Sequence, residues 1–154
     1  MTCEFQVREM ALQDIDPVLV MERLCFATPW SREAFIGEVR DNECAHYLVG
    51  ETAGRVVAYG GFWRVLDEGH ITNVAVHPDY QGLGYGKILL GALLRRAAEL
   101  GVVSATLEVR ESNFRAIRLY EKFGFEPAGR RKGYYADNGE DAIIMWQRDL
   151  ENIP

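Results

Sequence analysis

Cysteine is scarce: Cys3, Cys25 and Cys44 lie far apart, with no Cys-x-x-Cys among them. An odd, scattered set supports neither a disulfide framework nor a zinc site, so the three are expected as reduced core thiols. Also missing is a surplus of positive charge. With 17 basic against 23 acidic residues the net charge is −6, the wrong sign for a surface that displaces counterions from nucleic acid. An acidic face suits a cationic partner instead. No apolar stretch approaches the ~18 residues of a membrane span, and the start of the chain, with Glu4, lacks the apolar run of a signal peptide. A soluble, cytoplasmic protein with no membrane or nucleic-acid partner is therefore expected. Repeats, low-complexity tracts and charge runs are absent too. His46, His70 and His77 have no ligand spacing and no partner that the sequence identifies, so no metal is expected.

What is present is one core's worth of apolar sequence. At 154 residues and 48% hydrophobic content the chain suits a single domain, 1–154. Phe5, Val7 and Met10 form an extended lead-in, and Asp16-Pro17 reads as a helix N-cap followed by proline at the first helical position. Thr28-Pro29-Trp30-Ser31 interrupts that helix near Glu22, and Ser31 caps a second, short one. Trp30 at this corner serves as a plug under the loop or as a wall of a substrate site. From Ala45 the period becomes two: strands up to Val49 and from Arg55 to Trp63 flank a turn at Glu51-Thr52-Ala53-Gly54, and Ile71–Val76 is a third antiparallel strand. A long helix from Gly84 to Leu100 follows, then a two-faced strand over Val103–Val109 and a helix from Asn113 to Phe123. Phe125–Arg131 and Ala142–Trp146 close the chain as two strands. The order implies an α/β fold with a mixed sheet and one parallel crossover around the long helix. If the crossover strands splay at their C-terminal ends, a ligand cleft opens beside the intervening loop.

That loop is the most informative stretch. After Val74-Ala75-Val76 come Gln81-Gly82-Leu83-Gly84-Tyr85-Gly86-Lys87, glycines at a strand-to-helix turn where backbone N–H groups and the helix N-terminus can face an anion. The nucleotide-triphosphatase loop is excluded because Ile88, not Ser or Thr, follows Lys87. The dinucleotide fingerprint fails because Lys87 or Leu89 stands where its last glycine belongs. Gln81-x-x-Gly84-x-Gly86 resembles the coenzyme A loop of the GNAT superfamily of N-acetyltransferases. Leu107-Glu108-Val109-Arg110-x-Ser112-Asn113-x-x-Ala116-x-x-Leu119-Tyr120-x-x-x-Gly124-Phe125, then Arg131-Lys132-x-Tyr134-Tyr135 and Glu140-Asp141-Ala142-x-x-Met145, are similar to its RimI-type ribosomal-protein alanine N-acetyltransferases. Pro29-Trp30-Ser31 fits the same type. The loop departs from the family in Gly82-Leu83, where basic residues are common, which leaves Lys87 as its only cation.

The resemblance implies the GNAT fold, acetyl-coenzyme A as co-substrate and the N-terminal alanine of a ribosomal protein as acceptor. Val74, Ala75 and Val76 would offer backbone groups to the pantetheine and thioester, while Gln81 to Lys87 would hold the pyrophosphate. Asn113 would contact the same ligand as well as cap its helix. Glu108 would be the general base, needed because an α-amine of pKa about 7.7 to 8.0 is mostly protonated at neutral pH. Without the resemblance it reads as a solvated glutamate paired with Arg110. Tyr120, a hydroxyl on an apolar helix face, would be the general acid for the departing thiolate, or a core tyrosine bonded to a backbone carbonyl. Tyr134 and Tyr135, expected on a loop, are placed beside the acceptor peptide. Glu140 and Asp141 favour a basic peptide or simply polarise their turn. A small-molecule amine or lysine side chain remains an alternative acceptor, and a non-catalytic coenzyme A sensor an alternative role.

Overall fold

In a computed structural model, which describes residues 4–153, seven strands form one sheet in the order β1-β2-β3-β4-β5-β7-β6. The strands are β1 (Gln6–Glu9), β2 (Ala45–Thr52), β3 (Arg55–Val65), β4 (Glu68–Val76), β5 (Ser104–Arg110), β6 (Glu126–Tyr135) and β7 (Glu140–Gln147). Four helices cover the sheet: α1 (Ile15–Cys25), α2 (Arg32–Ile36), α3 (Tyr85–Glu99) and α4 (Phe114–Lys122). Every pairing is antiparallel except β4 with β5. The mixed α/β architecture is the expected one.

Two apolar layers sandwich the sheet. On one face Leu89, Leu90, Leu93 and Leu94 of α3 pack with Tyr120 of α4 and with Ile71, Leu107 and Val109. On the other, Val18, Leu19 and Met21 of α1 and Phe35 of α2 pack on Val49, Tyr59 and Ala75. Each of these leucines, fully buried, contributes roughly 1.5–3 kcal/mol, so α3 is pinned along the crossover.

The decisive irregularity lies in β4. Gly61 pairs with Asn73 and Phe62 with Ile71, so Thr72 is one residue too many. The bulge turns two successive side chains to the α1 face: Thr72 Oγ1 lies 2.9 Å from Tyr47 Oη, and Asn73 Nδ2 donates to Glu22. A bulge also bends its strand. Beyond the three pairs Glu68↔Ser104, Gly69↔Ala105 and His70↔Thr106, β4 leaves β5. From there β4 runs with β3 as far as Val76 and β5 with β7 as far as Arg110, so the sheet splits between them as a splayed crossover requires. Gly61 makes room for this: a Cβ there would meet the Tyr47 ring at 2.2 Å. Only glycine lets that ring lie across β3 and reach the bulge.

Several local expectations change. Helix α1 begins at Ile15, so Pro17 is its third residue; the first-turn N–H groups need no helical partner, and proline fits there as well as at the first position. Strand β6 runs through Tyr135, which puts Tyr134 and Tyr135 in a strand and not in a loop. Cys44 is exposed and Cys25 only half-buried, so neither is a sealed core thiol, and Cys3 lies outside the described residues. No described helix is long and apolar enough to cross a membrane.

Candidate active site

The split carries usable backbone. His77 N–H donates to Val57 O of β3 at 2.8 Å. Consecutive amides of a strand point to opposite edges, so the N–H of Val76 is turned into the gap. The carbonyl of Val76 is already engaged by Gln81 Nε2 at 3.0 Å and by Cys25 Sγ at 3.5 Å.

The glycine loop sits at the mouth of the gap. Gly82 and Gly84 both have φ +83°, and Gly84 is the N-cap of α3. The first helical bond runs from Ile88 N–H to Gly84 O, which leaves the amides of Tyr85, Gly86 and Lys87 at an open helix N-terminus suited to anions. Space where a Cβ would stand is empty at Gly82 and Gly84. Leu83 and Lys87 are exposed, and Tyr85 stacks on Phe5 at 4.1 Å. Gln81 is a strut: besides holding Val76 O it accepts from Arg115 Nη1 at 2.9 Å. Arg115 is a second cation at the loop. Sequence reasoning missed it, because only the fold brings the start of α4 to the loop. Asn113 caps α4, its Oδ1 accepting from Ala116 N–H at 3.2 Å. These groups fit a ligand with a pyrophosphate.

Glu108 projects from β5 on the face opposite α3. Its partner is His70 of β4, with Nε2 2.6 Å from Oε2, and Arg131 Nε stands 3.6 Å from Oε1. Arg110 is occupied elsewhere, bonded to Asp137 and Glu140 and stacked 4.0 Å over Tyr135. The Glu108–Arg110 pair of the alternative, solvated-glutamate reading is absent. The hydrogen bond from His70 is the main force holding the Glu108 carboxyl below the usual range, against the opposing effect of burial. Sequence reasoning missed His70 because its link to Glu108 depends on the register His70↔Thr106, which sets Glu108 two residues further along the same face.

Tyr120 is buried and packs on Phe125 at 5.7 Å. Its hydroxyl takes no hydrogen bond among the described residues. Burial, and secondarily the Tyr135 phenol, raise its pKa, so it stays protonated across the physiological range. Tyr135 is pushed up to about 12, chiefly by burial. Tyr134 is exposed and meets Tyr135 edge-on at 5.1 Å. Glu140 accepts from Ser112 N–H and Asp141 from Gly133 N–H, and both pair with arginines. Asp141 braces the β6–β7 hairpin, whereas Glu140 ties it to β5 and the turn before α4. Trp30 is half-buried against Phe35 at 5.3 Å, and its N–H donates to Glu22 at 2.9 Å.

Comparison with known proteins agrees with the fold and gives the family. Residues 15–125 match the Acetyltransferase (GNAT) family. A Bacillus subtilis (strain 168) protein, provisionally named a [ribosomal protein bS18]-alanine N-acetyltransferase, is 46% identical over 91% of this chain and 93% of its own. The Escherichia coli (strain K12) protein of that name is 38% identical over 90% of this chain and 94% of its own. The crystal structure of the ribosomal-protein-S18-alanine N-acetyltransferase from Escherichia coli superposes with a TM-score of 0.85 at 36% identity, covering 93% of this chain and 92% of that one. A Salmonella typhimurium structure described with its cofactor acetyl-CoA shares the fold, with a TM-score of 0.81 at 23% identity over 97% and 95% of the two chains.

The loop's backbone separates two glycines. At Gly86 the φ is ordinary, and a Cβ would touch Leu119 and Val76 at 3.6 and 3.7 Å. Gly86→Ala is expected to keep acetyl-coenzyme A affinity and to gain up to about 1 kcal/mol in stability. Gly84→Ala at φ +83° is strained by about 1–2 kcal/mol, and should lower Tm and weaken binding at least about tenfold. Calorimetric titration and thermal unfolding check both. Wild-type affinity in Gly84→Ala would remove the loop from the binding site.

Proposed function

The chain belongs to the GNAT family of acetyltransferases, and from this we propose that it acetylates the N-terminal alanine of a ribosomal protein, in the cytoplasm. That it is an acetyl-coenzyme A-dependent N-acetyltransferase follows from its relatives. The finer acceptor rests on their names. The mechanism rests on one observation above the rest: a half-buried carboxylate, Glu108, held ionised where β4 and β5 part.

Acetyl-coenzyme A supplies an activated acyl group as a thioester. Gly82 to Lys87, helped by Arg115 and Asn113, hold its phosphate end, while the edge of β4 at Val74 to Val76 accepts the pantetheine as an added strand would. The Val76 N–H polarises the carbonyl and stabilises the oxyanion formed when the amine attacks. Glu108 takes the proton that the amine sheds, and the His70 imidazole beside it orients the carboxylate. Expulsion of the thiolate leaves an amide, and Tyr120 delivers the proton that makes free thiol. Trp30, Tyr134 and Tyr135 line the acceptor's approach.

Thiol release with two matched basic peptides tests the acceptor. One has a free N-terminal alanine, and the other is blocked at its N-terminus but carries an internal lysine. Turnover of only the free-alanine peptide is expected; turnover of only the lysine peptide would move the acceptor to a side chain, and binding without turnover of either would favour a small-molecule acceptor or a sensor.

The pH profile tests the base. A depressed Glu108 stays ionised throughout the neutral range, so it adds no ionisation of its own between pH 6 and 9. Glu108→Gln should cost on the order of 10²-fold in turnover at neutral pH, and less as the pH rises past the amine's own value of about 8. An equal loss at every pH would argue against proton removal.

A further inference from the structure

A buried carboxylate of α1, outside the chemistry above, ties the acceptor side of the cleft to the strand that receives the thioester. Glu22 is only 2% exposed. Its Oε2 accepts from Trp30 N–H at 2.9 Å, and its Oε1 accepts from the Tyr59 hydroxyl and from Asn73 Nδ2 at 3.4 Å. No lysine, arginine or histidine pairs with it among the described residues. Burying a carboxylate costs several kcal/mol unless several donors converge on it, and an apolar side chain of similar volume serves stability as well or better. Three donors do converge here, from β3, β4 and the α1–α2 connection. The donor on β4, Asn73, belongs to the bulge and immediately precedes Val74. Its other amide atom, Oδ1, is buried with no hydrogen-bond partner among the described residues, an unfavourable arrangement that a layer built only for stability would avoid. One turn on from Glu22, Cys25 reaches Val76 O at 3.5 Å. Helix α1 therefore touches the thioester strand at both Asn73 and Val76.

We infer that Glu22 is a positioning residue for the acceptor: it fixes the Trp30 loop relative to β4, and so fixes where the incoming amine meets the acetyl carbon. The proposal rests on the cleft assigned above. Amine and carbonyl carbon have to approach to about 3–3.5 Å, and a shift of about 1 Å in a positioning element costs on the order of 10²-fold. Packing contributes to the same connection, since Trp30 lies on Phe35 at 5.3 Å and Phe35 meets Tyr59 edge-on at 5.9 Å. Those contacts fix the ring, whereas Glu22 alone holds the Trp30 backbone amide.

Two variants separate positioning from folding. Glu22→Gln keeps the shape but turns an NH₂ towards one of the donors, and Glu22→Met fills the volume with no acceptor. In both, the affinity for acetyl-coenzyme A should stay within about twofold, while KM for the amine acceptor rises about tenfold or more and the Trp30 amide exchanges its hydrogen faster by NMR. A folded Glu22→Met with wild-type KM for the acceptor, or with an equally protected Trp30 amide, overturns the proposal. Should the wild type acetylate a different amine from the alanine peptide, the ribosomal acceptor fails, and the same comparison is made with that amine.

Discussion

The proposed site depends on β4 being unable to follow both of its neighbours. The extra residue at Thr72 is accommodated by bending towards β3, and the three parallel pairs with β5 end at His70. Without the bulge the two strands would continue side by side, and the Val76 N–H would be used up in a ladder. The bulge in turn depends on Tyr47, whose ring crosses β3 over Gly61 and whose hydroxyl meets Thr72. Contacts well away from the gap thus set its shape.

Around the gap the chain separates its titratable groups by environment. Glu108 is held low by a hydrogen bond from His70, whereas burial drives Tyr120 upwards. One stays charged and the other stays protonated over the same pH range, the division that the proposed proton acceptor and proton donor require. Most neighbouring charges are committed elsewhere: Arg110 to Asp137 and Glu140, and Arg130 to Glu111 and Asp141. Among the described residues that leaves Glu108 with His70 and the more distant Arg131 as its charged partners.

Much of this was legible in the residues. Alternation marked β5, the glycines marked the turn into α3, and Ser31 and Asn113 are the caps their positions suggested. What stayed hidden depends on register or on distance in sequence. The His70–Glu108 pair depends on the register of β4 with β5 and the pairing of Asn73 with Glu22 on the phase shift at Thr72, and neither is displayed by the sequence alone. Nothing in the sequence marks Arg115, because only the fold sets it beside Gln81. The sequence pattern ends strand β6 at Arg131, short of Tyr135, because an exposed edge strand has no buried face to alternate with and Gly133 carries a turn signal. Of the two readings given for Trp30, its packing on Phe35 fits the plug under the loop, and the substrate wall belongs to the proposed function.

The central claim is that the β4–β5 split is where acetyl-coenzyme A binds. Backbone amide chemical shifts, followed by NMR as acetyl-coenzyme A is added, test it most directly. The account predicts the largest changes at Val74 to Val76, at Gly84 to Lys87 and around Asn113. Changes concentrated instead at the hollow lined by Glu9, Glu38, His46 and Arg96, with the glycine loop unmoved, would contradict it.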